Sequence, residues 1–484
     1  MQRCDTLIRG ASVLDGSGSD AVTADVAVCD GRIVAIGAPL ECSPSTVIDG
    51  EGMVLAPGFI DVHTHDDIYL IRNPGMLPKL SQGVTTVIVG NCGISAAPVE
   101  LSGDLPEPMN LLGAPADFCY PTFAAYVAAI HEARPSVNVG ALVGHTALRN
   151  NHMDRLDRSA TGAEVERMRG QLHEALSAGA LGLSSGLAYL SANAATTEEV
   201  AALAQPLALA GAVYTTHMRS EAETILDAMQ EAFEIGRRSK VPVIVSHLKC
   251  AGIANWGRSE EVLHALDEAR AGQQIGCDCY PYAAASTTLD LRQVDERVKI
   301  TITWSTPHPE IAGHSLNEIA DGWNVTQMEA ARRLQPAGAI YHSMSEDDVR
   351  RILAHPATMI GSDGLPNDPR PHPRLWGTFP RVLGRYSREA GLIPLPEAVH
   401  KMTTMPARRF GLAGRGMIRE GYCADLVLFD AEKIIDTATF SDPVHASEGI
   451  RGVWVNGVLS YTNSGATGNR AGQFVARGKT EWIQ

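Results

Sequence analysis

Hydrophobic positions along the chain follow two different rhythms. Near the N-terminus they come in short runs, Thr6-Leu7-Ile8-Arg9, Ala11-Ser12-Val13-Leu14, Val26-Ala27-Val28 and Arg32-Ile33-Val34-Ala35-Ile36, with the pairs Asp15-Gly16 and Asp30-Gly31 marking tight turns between strands. The same texture returns in Leu426-Val427-Leu428-Phe429 and Val453-Trp454-Val455-Asn456-Gly457-Val458. The economical reading is one small β-sandwich domain built from both termini, residues 1–56 and 415–484. The tail after Asn463, Gly-rich and then charged, is expected to pack loosely along it.

The long middle segment, 57–414, alternates strand and helix patterns. Eight apolar runs read as strands: 59–65, 84–91, 137–145, 180–187, 211–218, 242–249, 274–281 and 357–363. Thr161-Gly162-Ala163-Glu164 is a capping box, followed by Val165, Met168, Leu172 and Leu176 at helical spacing; further periodic runs span 224–235 and 261–270. Eight βα units predict an α/β fold of the (β/α)8, TIM-type barrel class. A doubly wound open sheet competes, but it calls for a Gly-rich phosphate turn after its first strand, where this chain has His63-Thr64-His65. Residues 283–345, between strands seven and eight, read as an insertion at the rim.

Residues i and i+2 of a strand point to the same side, so His63 and His65 can present two imidazoles to one divalent metal, or simply be half-buried strand residues. Position decides more than type. Cys92, His217, His247 and Asp363 also fall at the carboxyl ends of expected strands, where a barrel gathers its chemistry.

Composition narrows the class. At 484 residues, 45% hydrophobic and 20% charged, the chain suits a two-domain globular protein, and its net charge of −15 argues against a nucleic-acid or anionic-membrane partner. Nine scattered cysteines fit reduced thiols, and no leader or bilayer-length apolar span is evident, so a cytoplasmic enzyme acting on a small molecule is expected. No partner protein is identified.

The motifs carry a resemblance. Ala56-Pro57-Gly58-Phe59-Ile60-Asp61-Val62-His63-Thr64-His65-Asp66-Asp67, Gly90-Asn91-Cys92-Gly93, Thr216-His217-Met218-Arg219, Ser246-His247-Leu248-Lys249, Gly361-Ser362-Asp363-Gly364 and His372-Pro373-Arg374-Leu375-Trp376-Gly377 resemble the amidohydrolase superfamily and, within it, the D-aminoacylase family of N-acyl-D-amino-acid deacylases. Many two-metal amidohydrolases bridge their metals with a strand-4 lysine, but this chain has no lysine between Lys79 and Lys240. The resemblance implies that a cysteine takes over, with Cys92, His217 and His247 forming a tight zinc site and His63, His65 and Asp363 outlining a second, weaker one.

The reaction expected from this resemblance is hydrolysis of N-acyl-D-amino acids by zinc-activated hydroxide, with Asp363 as general base and then acid. Arg374 is the first candidate for the substrate α-carboxylate, with Tyr189, Tyr280, Tyr282 and Ser286 as partners. If Lys249 and Arg292 reach the pocket, an acidic side chain such as D-glutamate is favoured, and the reading leans towards N-acyl-D-glutamate. If Arg292 and Arg297 instead pair with their acidic neighbours, broad or hydrophobic D-substrates are. A cyclic-amide hydrolase, disfavoured by the absent strand-4 lysine, and a non-catalytic barrel that binds no zinc are the remaining alternatives.

Overall fold

A computed structural model describes residues 2–101 and 103–482. Five strands come first: β1 (Gln2–Val13), β2 (Val22–Cys29), β3 (Arg32–Gly37), β4 (Cys42–Asp49) and β5 (Val54–Pro57). Then come β6 (Phe59–Asp61), β7 (Val84–Val89), β8 (Asn138–Ala141), β9 (Val143–Gly144), β10 (Gly182–Gly186), β11 (Val213–His217), β12 (Val243–Val245) and β13 (Ile275–Cys279). β14 (Ala285–Thr288), β15 (Ile300–Ser305), β16 (Ala337–Tyr341) and β17 (Thr358–Ile360) are next, and β18 (Leu426–Phe429), β19 (Ile450–Val455), β20 (Val458–Thr462) and β21 (Gly465–Ala466) end the series.

The two ends of the chain share a sheet. β5 pairs antiparallel with β18, Leu426 opposite Pro57 and Phe429 opposite Val54, so the N- and C-terminal strands join one nine-stranded sheet. Ile8, Val26, Leu55, Leu426, Leu428 and Trp454 pack together against it.

Between them run two parallel sheets, β6-β7-β8 and β9-β10-β11-β12-β13-β17. β8 and β9 are one stretch interrupted at Leu142, whose N–H donates to the Val89 carbonyl (2.9 Å) while Leu181 N–H donates back to Ala141 (2.8 Å). At the other end, Asp363 N–H donates to His63 O (2.7 Å) and His65 N–H to Gly364 O (3.2 Å), so the segment after β17 pairs with the segment after β6. These strands are almost wholly buried, as expected of a parallel sheet covered by helices. One such helix, Gly162–Ser177, starts at the capping box read from the sequence, with Thr161 accepting from Glu164 N–H.

Each parallel strand is shorter than the sequence pattern suggested, and for β7, β12 and β17 the reason is local. Cys92, His247 and Asp363 adopt left-handed backbone, with φ of 54°, 37° and 50°, which breaks the strand geometry just past its end.

Residues 283–345 form an antiparallel sheet, β14-β16-β15, with helices Leu316–Trp323 and Gln327–Leu334 and a core of their own that includes Leu289, Ile300, Ile302, Leu316 and Leu334. The tail departs from expectation. Its first residues do join the terminal sheet as β21, but beyond them Val475 N–H donates to Val139 O (2.8 Å), Arg477 donates to Ala180 O, and the Arg409 guanidinium lies 5.2 Å from the Trp482 ring, so the rest of the tail braces the amino ends of the parallel strands. Val475 joins a cluster with Ile60, Leu142 and Leu181, and that burial fixes it. Among the described residues no helix is long and apolar enough to cross a membrane.

Candidate active site

Strand ends bring the polar residues together. Cys92 sits in the turn Gly90-Asn91-Cys92-Gly93, which requires its glycines: both have positive φ, and a Cβ would lie 2.2 Å from Leu142 O at Gly90 and 2.5 Å from Gly186 N at Gly93. This places Cys92 Sγ 3.1 Å from His63 Nε2 and 3.3 Å from His247 Nε2, which is 3.1 Å from His217 Nδ1. Across the cluster, Asp363 Oδ1 is 3.2 Å from His65 Nε2 and 3.5 Å from His63 Nε2. Two ligand groups result, Cys92-His217-His247 and His63-His65-Cys92-Asp363, each with its ligand atoms within 4.8 Å of one another. Cys92 belongs to both, a sharing that the sequence had assigned to the first alone.

Non-Gly residues in left-handed backbone cost about 1–3 kcal/mol each, and such strain gathers at functional sites. Of the nine non-Gly residues in that conformation among the described residues, three, Cys92, His247 and Asp363, belong to this one cluster.

Charge in this cluster is set by mutual contact. Burial alone would raise the Cys92 thiol, yet His63 and His247 pull it well below its ordinary range. Burial likewise disfavours charged imidazoles, but Cys92 with Asp278 and Asp363 raises His63 well above its ordinary value, and His65, hydrogen-bonded to Asp363, rises to about 9. His247 also rises to about 9, through Glu221 and Cys92, against both burial and the Lys249 charge. Asp363, although buried, is held well below the usual carboxylate range by Arg374 and His63. A buried thiolate and carboxylate thus demand positive charge, which protons or a divalent cation can supply; binding the cation releases the protons. Thiolate with imidazoles and a carboxylate fits zinc, and the buried His65 Nδ1 is left without a hydrogen-bond partner beside the cluster.

A cavity of about 380 Å³ opens onto the cluster. His65, His217, His247 and Asp363 face it, and so do Lys249, Tyr189, Tyr280, Ser286 and Arg292. Tyr189 packs edge-on to His217, ring centroids 4.8 Å apart. The hydroxyls of Tyr280 and Ser286 are buried without a hydrogen-bond partner.

Two expected substrate contacts lie elsewhere. Arg374 is fully buried and off the cavity wall: its Nη1 is 2.9 Å from Asp363 Oδ2 and its Nη2 donates to Ser286 O, so it backs the carboxylate. Tyr282 is turned away, its hydroxyl donating to Pro373 O (3.4 Å) under the Arg381 guanidinium. The cations at the mouth are paired, Arg292 with Asp290 and Arg297 with Asp295, both at 2.7 Å.

The sequence reading noted Asp278 within the motif Asp278-Cys279-Tyr280-Pro281-Tyr282 but gave it no role, and it missed Glu221. Asp278 Oδ1 is 3.2 Å from His63 Nδ1 and accepts from His247 N–H (2.9 Å). The signal was an acid inside the buried strand Cys277-Asp278-Cys279. Glu221 lies behind His247 on an irregular loop, where no periodicity marks it.

This arrangement is that of a metal-dependent hydrolase of the amidohydrolase family, and the chain belongs to that family: it matches over residues 46–461. Among its relatives, the D-aminoacylase of Alcaligenes xylosoxydans xylosoxydans is 48% identical over 476 residues, covering 98% of each chain, and the same organism's N-acyl-D-aspartate deacylase is 48% identical over 484 residues, covering 100% of this chain and 97% of that one. The crystal structure of the N-acyl-D-glutamate deacylase from Bordetella bronchiseptica, complexed with zinc and a phosphonate mimic of the reaction's tetrahedral intermediate, is similar with a TM-score of 0.95 at 46% identity, covering 98% of this chain and 100% of that chain.

Proposed function

We infer that this chain is a zinc-dependent hydrolase that cleaves N-acyl-D-amino acids to a carboxylate and a free D-amino acid. The carrying observation is Cys92, a buried thiol held between imidazoles from two ligand groups with Asp363 opposite. Cys92, His217 and His247 would hold the tight zinc, and His63, His65 and Asp363 with the shared Cys92 a second position. Zinc held there supplies Lewis acidity, lowering the pKa of water towards ~7 and polarising an acyl carbonyl.

The chain's own residues supply the proton path. Asp363 Oδ1 takes a proton as water oxygen bonds to the acyl carbon, then returns it to the amine nitrogen as the C–N bond breaks. Arg374 keeps Asp363 ionised and turned inward through Oδ2. Lys249, Tyr189, Tyr280 and Ser286 line the wall where the substrate carboxylate binds. The D configuration rests on the relatives. Arg292 and Arg297 are both paired with their acidic neighbours, which favours broad or hydrophobic D-substrates; an acidic side chain would be met by Arg292 only in exchange for Asp290. A cyclic-amide hydrolase of the lysine-bridged kind finds no support in β10, which ends Ser184-Ser185-Gly186.

The fold is read as a closed (β/α)8 barrel spanning 57–414, with the rim insertion at about 283–345 and a β-sandwich domain formed by 1–56 and 415–484. Supporting closure, Ile60, Ile88, Leu142, Leu181, Val213, Ile244 and Met359, drawn from seven of the eight strand stretches, share one cluster. Nine free thiols accord with a reducing cytoplasm.

The test is a panel of N-acetyl and N-formyl D- and L-glutamate, aspartate, leucine and methionine, with hydantoin, on protein of measured zinc content. Hydrolysis of D-derivatives alone is expected. Zinc-replete protein inert towards every D-derivative would overturn the assignment.

A further inference from the structure

Glu221 stands behind the Cys92-His217-His247 group. Its Oε1 is 2.8 Å from His247 Nδ1 and 2.5 Å from Lys249 Nζ, and its Oε2 is 3.8 Å from His217 Nε2. Lys249 Nζ in turn lies 2.8 Å from the same His247 Nδ1. One ring nitrogen therefore faces a carboxylate, which only accepts, and an ammonium, which only donates.

These neighbours ask for opposite tautomers. Accepting by Glu221 puts the proton on Nδ1 and leaves a lone pair on Nε2, the atom 3.3 Å from Cys92 Sγ and 3.1 Å from His217 Nδ1. Donation from Lys249 puts the lone pair on Nδ1 and the proton on Nε2, which then cannot ligate. We propose that Glu221 is the positioning residue that settles this contest: it fixes His247 as the Nδ1–H tautomer and holds the Lys249 ammonium to itself. One carboxylate thereby prepares a metal ligand and places the cation on the cavity wall.

The proposal rests on His247 being a zinc ligand, and the test separates the two claims. Metal-free protein is titrated with zinc against a chromophoric chelator. Glu221→Ala is expected to bind zinc about 10–100-fold more weakly than wild type. In the double variant Glu221→Ala with Lys249→Met, the competing donor is gone and most of that affinity returns, which a merely structural role for Glu221 would not produce. Zinc affinity of Glu221→Ala equal to wild type, or a double variant no better than Glu221→Ala, overturns the proposal. Wild-type protein without tight zinc removes the ligand assignment and this inference with it.

Discussion

Two buried clusters in this molecule set histidine beside a carboxylate to opposite ends. At the active site, Cys92, His63, His65, His217, His247 and Asp363 turn their Lewis-basic atoms towards one another. On the flank, Arg149, Glu199 and His145 form a knot. Arg149, fully buried, donates to Glu199 and to the carbonyls of Ser191, Leu156 and Arg158. Glu199 also meets His145 Nε2 (3.2 Å) and accepts from Ala160 N–H (2.8 Å). The knot answers each charge from within the chain, so it holds structure. In the candidate active site, bases converge on bases, an arrangement that a cation from outside would complete. Burial of a histidine beside a carboxylate does not by itself identify chemistry; the direction in which lone pairs converge does.

The contrast can be broken at four points. Asp363→Asn should lower kcat by at least about 10²–10⁴-fold, the usual share of a general acid/base, while metal analysis still finds the tight zinc of the Cys92-His217-His247 group bound. An active variant would show that Asp363 does not carry the proton.

Glu199→Gln should do the reverse. Leaving Arg149 buried without its partner costs about 3–5 kcal/mol in denaturant unfolding, with kcat of the folded enzyme unchanged. Loss of turnover without loss of stability would make the knot part of the site.

Acid should erase that difference. Burial pushes Glu199 up, but the His145 hydrogen bond and the Arg149 charge win and lower it from 4.5 to about 2. A depressed carboxylate contributes its stability above its unfolded pKa and loses it as pH falls towards the folded one. The stability gap between wild type and Glu199→Gln should therefore be full at pH about 5 and shrink towards pH about 2, read as unfolding midpoints. A gap that widened in acid would reverse the sign of the linkage.

The smallest effect lies at the mouth. Arg292→Ala should weaken N-acyl-D-glutamate hydrolysis by about 1 kcal/mol, as an exposed pair does, and leave N-acyl-D-leucine unaffected. Equal losses on both substrates would remove Arg292 from side-chain selection.

Much of the candidate site was legible beforehand because its residues fall where apolar runs end, although most of them lie just past the strands themselves. His63 and His65 alternate on one strand exit, and Cys92, His217, His247 and Asp363 each end an apolar run. Orientation was not legible. Nothing in the sequence told whether Arg374 would face the substrate or back Asp363, since both are open to a guanidinium after strand eight; packing placed it fully buried.

By itself the sequence determined the alternation of strand and helix, the pairing of the two terminal β segments and the candidate ligands, all set by local periodicity and short-range turn chemistry. Only the tertiary structure decided that Cys92 is shared by two ligand groups, that Glu221 and Asp278 stand behind the imidazoles, and that the tail braces the amino ends of the parallel strands. The physical reason is distance along the chain. Contacts such as Asp363 with His65 or Val475 with Val139 join residues hundreds of positions apart, and only collapse of the whole core brings them within reach.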